Sequence, residues 1–237
     1  MIPLHDQNPA SRVPVVTYLL IAVNVVVFGF QSTLDSVEGV QLIRQWGLVP
    51  YYISELRLDS VSTLFTSMFL HDGWVHLVSN MWFLHIFGDN VEDVCGRWRF
   101  LVFYLMCGLA AGLAHTLSDS QSQLPMVGAS GCIAGVMAAY LVFFPNSKIV
   151  AFALLLVRVP AVFFIVFWFV LQVLLGFGSL QQFSGEGVAV FAHIGGFLMG
   201  LYLLIQVRQP AAPRPRVVGE GVPRASRLNS ERLGERC

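Results

Sequence analysis

The sequence predicts an all-α polytopic membrane protein: a bundle of six membrane-crossing helices, the fourth of them short and starting inside the bilayer. Three observations predict it. Of 237 residues, 56% are hydrophobic and only 12% charged, where soluble domains carry about 25% charged residues. The apolar residues come in runs too long and unbroken for barrel strands, and only helices or closed barrels satisfy backbone polar groups in lipid. The third is the run that begins at Ser130 and stops at Pro145. Its roughly fifteen residues cover about 22 Å, against a bilayer core about 30 Å thick.

The first helix is expected over residues 15–30, after a polar head containing Arg12 and Pro14; it reads as a retained span and not as a cleaved signal. The second is expected over 74–90, the third over 100–117, the fourth over 130–144, the fifth over 160–177 and the sixth over 188–207. Residues 31–73 alternate apolar and polar positions and carry Trp46, Tyr51 and Tyr52. That segment is too long for a plain connector and is expected to fold against the outer leaflet. Residues 148–157 are apolar but flanked by Lys148 and Arg158, and are expected along the cytoplasmic interface. The organisation is therefore a short N-terminus (1–12), a six-helix domain (13–207) containing the membrane-associated external loop (31–73), and a tail (208–237) rich in Arg and Pro that is expected to be disordered.

An even number of spans puts both termini on one side. Arg12, Arg97, Arg99, Lys148, Arg158, Arg208 and six tail arginines fall together, twelve of the fourteen basic residues, and only Arg44 and Arg57 fall opposite. The positive-inside rule makes the richer side cytoplasmic. It also accounts for the Arg-rich tail without nucleic acid. The four cysteines, 95, 107, 132 and 237, show no disulfide spacing and read as reduced.

Orientation turns sequence position into depth. Rising from Pro145 at the inner face, the fourth helix leaves Ser130 about 8 Å below the outer face. Entering from outside, the sixth carries His193 about 7 Å down, and the second carries Asn80 about 9 Å and His76 about 3 Å down. Three helices thus bring Ser130, His193, His76 and Asn80 into one external-side layer. Gly131 and Gly135 on the fourth helix, and Gly196 and Gly200 on the sixth, would let those two backbones approach closely.

A serine hydroxyl needs a base to attack, and His193 can supply it. No Asp or Glu lies within a span except Asp89 and Glu92 near an end, and Glu186 reads as a loop residue, so the pattern favours a Ser–His dyad over a triad. The backbone N–H of Ser130, unpaired at a helix start, and the side chains of His76 and Asn80, spaced i, i+4, could all donate to a developing oxyanion. This points to acyl transfer, specifically peptide hydrolysis in or just above the membrane. Other chemistries fit less well. His71 and His76 lack the His-Glu-x-x-His spacing of zinc proteases. Intramembrane aspartate pairs are absent. A Gly-x-Ser-x-Gly elbow fails at Cys132. A channel would need polar residues through the whole bilayer and not only in its outer third.

Three stretches now carry a resemblance: His71-Asp-Gly-Trp-Val-His76-Leu-Val-Ser-Asn80, Gly128-Ala-Ser130-Gly131, and Ala192-His193-Ile-Gly-Gly196-xxx-Gly200. In this order they resemble the rhomboid family of intramembrane serine proteases over residues 13 to 207. Residues 87–93 are similar to that family's turn after the second helix. The resemblance implies a six-helix fold, Ser130 as nucleophile, His193 as base, His76 and Asn80 as oxyanion donors, and Gly128 in the loop before the serine. It implies no metal or cofactor, a lipid-bilayer setting, and single-span transmembrane proteins as substrates, with small residues at the cut. It also allows a catalytically inactive, client-binding relative, which the presence of both Ser130 and His193 disfavours. A short chain without a transit peptide suggests a bacterial plasma membrane. Two departures stand out. The aromatic often found four residues after the serine is Ala134 here, so the base is expected to be held less rigidly or by aromatic residues elsewhere. A Trp-Arg pair is missing from the external loop. His115, near the outer end of the third helix, is a candidate for lining a water pocket. His71 reads as structural, and His85 as bonded to a neighbour.

Overall fold

The computed structural model describes residues 2–152, 155–181 and 190–206. Nine helices occur among them, in chain order α1 Val15–Gln31, α2 Ser36–Trp46, α3 Pro50–Ser54, α4 Thr63–Thr66, α5 Trp74–Cys95, α6 Arg97–Ser118, α7 Ser130–Phe143, α8 Ala161–Gln181 and α9 Val190–Gln206. Six of these lie where helices were expected, to within a few residues. By length and hydropathy α6 is the one described helix that suffices to cross a membrane; α1, α7, α8 (over Ala161–Leu174) and α9 (over Val190–Ile205) are apolar but shorter.

The apolar residues are arranged for lipid. On α1 the buried face is Val16, Thr17, Leu20, Asn24 and Phe28, while Leu19, Val25, Val26 and Phe30 face outward. On α8, Phe163, Val166, Phe167, Val170 and Leu174 are likewise exposed. Apolar belts of this extent mark contact with a membrane or partner, not with water.

Within the bundle, α7 is central and almost wholly buried. It packs most extensively on α9, and α9 in turn on α6. Glycine makes this possible. A Cβ at Gly196 would overlap the carbonyl oxygen of Gly131, and one at Gly200 would lie 2.6 Å from that of Gly135.

Two features differ from the sequence expectation and a third adds detail to it. Residues 148–157 do not simply lie along an interface: strands β2 (Lys148–Phe152) and β3 (Leu156–Pro160) pair antiparallel with each other, and β2 pairs with β1 (Ile2–Asp6) from the N-terminal segment. The fold is mostly helical with this small added sheet. Pro3 is tolerated because β1 is an edge strand, and its free carbonyl accepts a hydrogen bond from Trp82 Nε1 at 2.6 Å. Second, residues 87–93 form no turn; α5 runs through them and ends at Gly96, whose φ is +81°. The reason is Glu92. Its buried carboxylate accepts from the backbone N–H of Val16 (3.0 Å) and Thr17 (2.8 Å) and from Thr17 Oγ1 (2.8 Å), capping an α1 start that has no side-chain cap of its own. Third, residues 31–73 hold α2, α3, α4 and two 3-10 turns. Gln31 clamps the far end of this segment, bonding both the carbonyl (3.0 Å) and the N–H (3.1 Å) of His71. The 208–237 tail and Glu186 lie outside the described residues.

Candidate active site

Ser130 is the first residue of α7. The loop before it is held at two points. Leu48 and Met126 exchange backbone hydrogen bonds of 3.0 and 2.7 Å, and Gly128 N–H donates to Ser67 C=O at 2.9 Å. Gly128 adopts φ +123°, open in practice only to glycine. A Cβ there would also sit 2.7 Å from His76 Nε2. The glycine therefore lets the loop pass against His76 and deliver Ser130 to the helix start.

His193 lies on α9 and is 6% exposed. Its Nε2 is 2.8 Å from Ser130 Oγ. The close α7–α9 packing at Gly131, Gly196 and Gly200 produces this contact, because one side chain of ordinary size between the helices would separate them. The other ring nitrogen, Nδ1, is 3.2 Å from Gln172 Oε1 on α8. An amide oxygen only accepts, so this contact favours the ring form protonated on Nδ1, which presents Nε2 to the serine hydroxyl. One helical turn before Gln172, the Trp168 ring sits 5.7 Å from that of His193. An aromatic on α8 thus packs on the imidazole where Ala134, four residues after the serine, cannot.

His76 and Asn80 lie on α5 beside Gly128. Each already has a partner. His76 Nδ1 pairs with Asp72 Oδ1 at 2.7 Å, which leaves Nε2 facing the loop. Asn80 Nδ2 is 3.1 Å from His71 Nε2. His71 is 1% exposed. Burial, and after it the neighbouring His76, bring its pKa down to about 4. The ring is neutral at pH 7, its Nε2 accepts one Asn80 amide proton, and the second amide proton stays free.

A cavity of about 10 Å³, the space of roughly one water, adjoins Ser130 and is lined by Ser67, Met126, Gly128, Gly131 and Ala192 among others. His115 is not among its lining residues. His85 stacks on Tyr18 at 6.1 Å. Among the described residues no cluster of three or more His, Cys, Asp and Glu side chains is arranged to hold a metal.

Sequence reasoning missed Gln172, Trp168 and Asp72. Gln172 had a readable signature: it is the one amide in the apolar run 161–175, and polar residues inside spans mark function by default. Asp72 had none, since its i, i+4 spacing to His76 lies across a turn whose shape the sequence does not show.

Comparison with known proteins shows the family. Residues 58–210 match the family model described as Rhomboid domain. The chain is similar to RHOMBOID-like protein 5 of Arabidopsis thaliana, 31% identical over 59% of this chain and 42% of that one. It is similar to Rhomboid protein 1, mitochondrial, of Saccharomyces cerevisiae, 28% identical over 78% of this chain and 51% of that one. It is similar also to Rhomboid protease GluP of Bacillus subtilis, 28% identical over 84% of this chain and 36% of that one. The chain spans about half the length of these relatives or less. With well over half of its residues under that family model, and a paired serine and histidine at the packed helix crossing, the chain belongs to the rhomboid family of membrane proteins.

Proposed function

We propose that the chain is an intramembrane serine endopeptidase that cleaves single-span transmembrane proteins near the external face of the bilayer. The observation that carries this reading is the 2.8 Å contact between Ser130 Oγ and a buried His193 Nε2. Ser130 Oγ bonds to the scissile carbonyl carbon as its proton passes to His193 Nε2. The oxyanion takes hydrogen bonds from the Ser130 backbone N–H and Asn80 Nδ2; His76, whose Nδ1–H is given to Asp72, adds an Nε2–H donor only in its doubly protonated form. His193 then gives the proton to the leaving amine as the C–N bond breaks. Water, activated by the same ring, hydrolyses the acyl-enzyme and restores Ser130.

Six helices, α1, α5, α6, α7, α8 and α9, serve as spans, with α7 short and starting inside the bilayer. Both termini are cytoplasmic, as the distribution of basic residues supports. The sequence expectation of a bacterial plasma membrane does not follow from the family, because relatives are named mitochondrial and chloroplastic as well as bacterial. Lipid and transmembrane protein substrates are the partners proposed; no step calls on a cofactor.

The test is cleavage in proteoliposomes of a panel of single-span proteins carrying helix-destabilising residues near the outer interface. Wild type is expected to cut at least one and Ser130→Ala none. Undiminished cleavage by Ser130→Ala would remove the serine mechanism. Client binding without cleavage by wild type would favour the inactive, client-binding reading.

A further inference from the structure

We infer that Gln172 is a positioning residue for His193, so that the reacting unit is a Ser130–His193 dyad oriented by Gln172. This rests on the assignment of Ser130 as nucleophile and His193 as base.

A neutral imidazole carries one proton, and two tautomers are open to it. Only the form protonated at Nδ1 leaves Nε2 able to accept the serine proton. In most serine hydrolases a carboxylate enforces that form. Here no carboxylate is placed to do so among the described residues, and Gln172 Oε1 stands 3.2 Å from Nδ1 instead. The amide oxygen has no proton to give, so it selects the Nδ1–H tautomer. When Nε2 takes the serine proton, Nδ1–H keeps its acceptor and the imidazolium retains one hydrogen bond. A neutral amide achieves this without the cost of burying a charge in an apolar span.

Trp168 strengthens the case. Trp168 and Gln172 are i, i+4 on α8 and meet the same ring, one against its side and one at its Nδ1 edge. Together they fix both the plane and the tautomer of an imidazole that Ala134 leaves without an aromatic neighbour on α7. The orientation of the base is therefore supplied by α8, an element that carries neither reacting residue.

Three variants in detergent micelles separate this from packing, with a fluorophosphonate probe in place of a protein substrate. Gln172→Met keeps length and bulk but removes the oxygen; Gln172→Glu keeps a carboxyl oxygen at the same place; Ser130→Ala is the control. Inactivation rate constant, probe affinity and melting temperature are measured for each. Gln172→Met is expected to lower the inactivation rate constant about 5- to 10-fold with affinity unchanged, the scale of one lost orienting hydrogen bond. Gln172→Glu is expected to restore it to within about 3-fold of wild type, less than the loss of that bond. A wild-type rate for Gln172→Met, with Ser130→Ala unlabelled, would overturn the role of Gln172 and leave the Ser–His pair standing. Equal slowing in both Gln172 variants would assign the residue to packing and overturn it too. Failure of wild type to label, or labelling of Ser130→Ala like wild type, would instead remove the underlying assignment.

Discussion

At Gly128 backbone and site meet: φ is +123° and His76 Nε2 would lie 2.7 Å from any Cβ. Gly128→Ala is expected to cost roughly 1–3 kcal/mol of backbone strain and to displace His76 from the serine loop. The measurement is melting in micelles beside probe labelling, with labelling falling further than stability alone explains. His71 gives a pH dependence whose sign is fixed. Its folded pKa, about 4, lies below the ordinary 6.5. Between these values the unfolded chain takes up a proton that the folded chain refuses. Stability is therefore full above pH 6.5 and is lost as pH falls toward 4, by up to roughly 3 kcal/mol. Melting temperature against pH should slope in this window, and His71→Asn should flatten that slope. Ser130, His193, His76 and Asn80 were legible because each is polar within an apolar run. Of their second partners, Gln172 carried the same signal, one amide in an apolar run; Asp72 and His71 did not, because the turn that sets them against His76 and Asn80 leaves no pattern in the sequence.

At the scale of elements, Glu92 ties α5 to α1 through three hydrogen bonds to the start of α1. Glu92→Ala is expected to lower stability by about 1.5–3 kcal/mol, the range for hydrogen bonds to a carboxylate. In hydrogen exchange the first turn of α1 should lose protection ahead of α7 and α9. An unchanged exchange pattern would mean that the cap is dispensable. The helices were legible from their apolar runs to within a few residues, except that α5 runs on to Cys95 because Glu92 points at α1 and not at water. The three-stranded sheet was not legible. Residues 148–160 are apolar enough for several fates, and their partner, Ile2–Asp6, lies more than a hundred residues away in sequence. Only the folded chain brings Asp6 Oδ2 within 2.6 Å of the Tyr140 hydroxyl and holds β1 in place.

For the whole molecule, the outward apolar faces of α1 and α8 fit a lipid surface, and the proposed orientation is drawn from the distribution of basic residues. Single cysteines at Arg57 and Lys148, introduced into a cysteine-free chain, should differ in intact cells. Arg57→Cys is expected to react with an impermeant maleimide added outside, and Lys148→Cys only after lysis; the reverse pattern would invert the topology. In the proposed orientation the start of α7 is expected toward the outer face, with the loop from α6 leading into it. The class of protein was legible from composition alone.

Mass spectrometry of the fluorophosphonate-treated protein tests the central claim most directly. The adduct is predicted on Ser130 in wild type, absent in Ser130→Ala, and strongly reduced in His193→Ala. An unmodified Ser130 in folded wild type, or an adduct that forms equally well without His193, would contradict it.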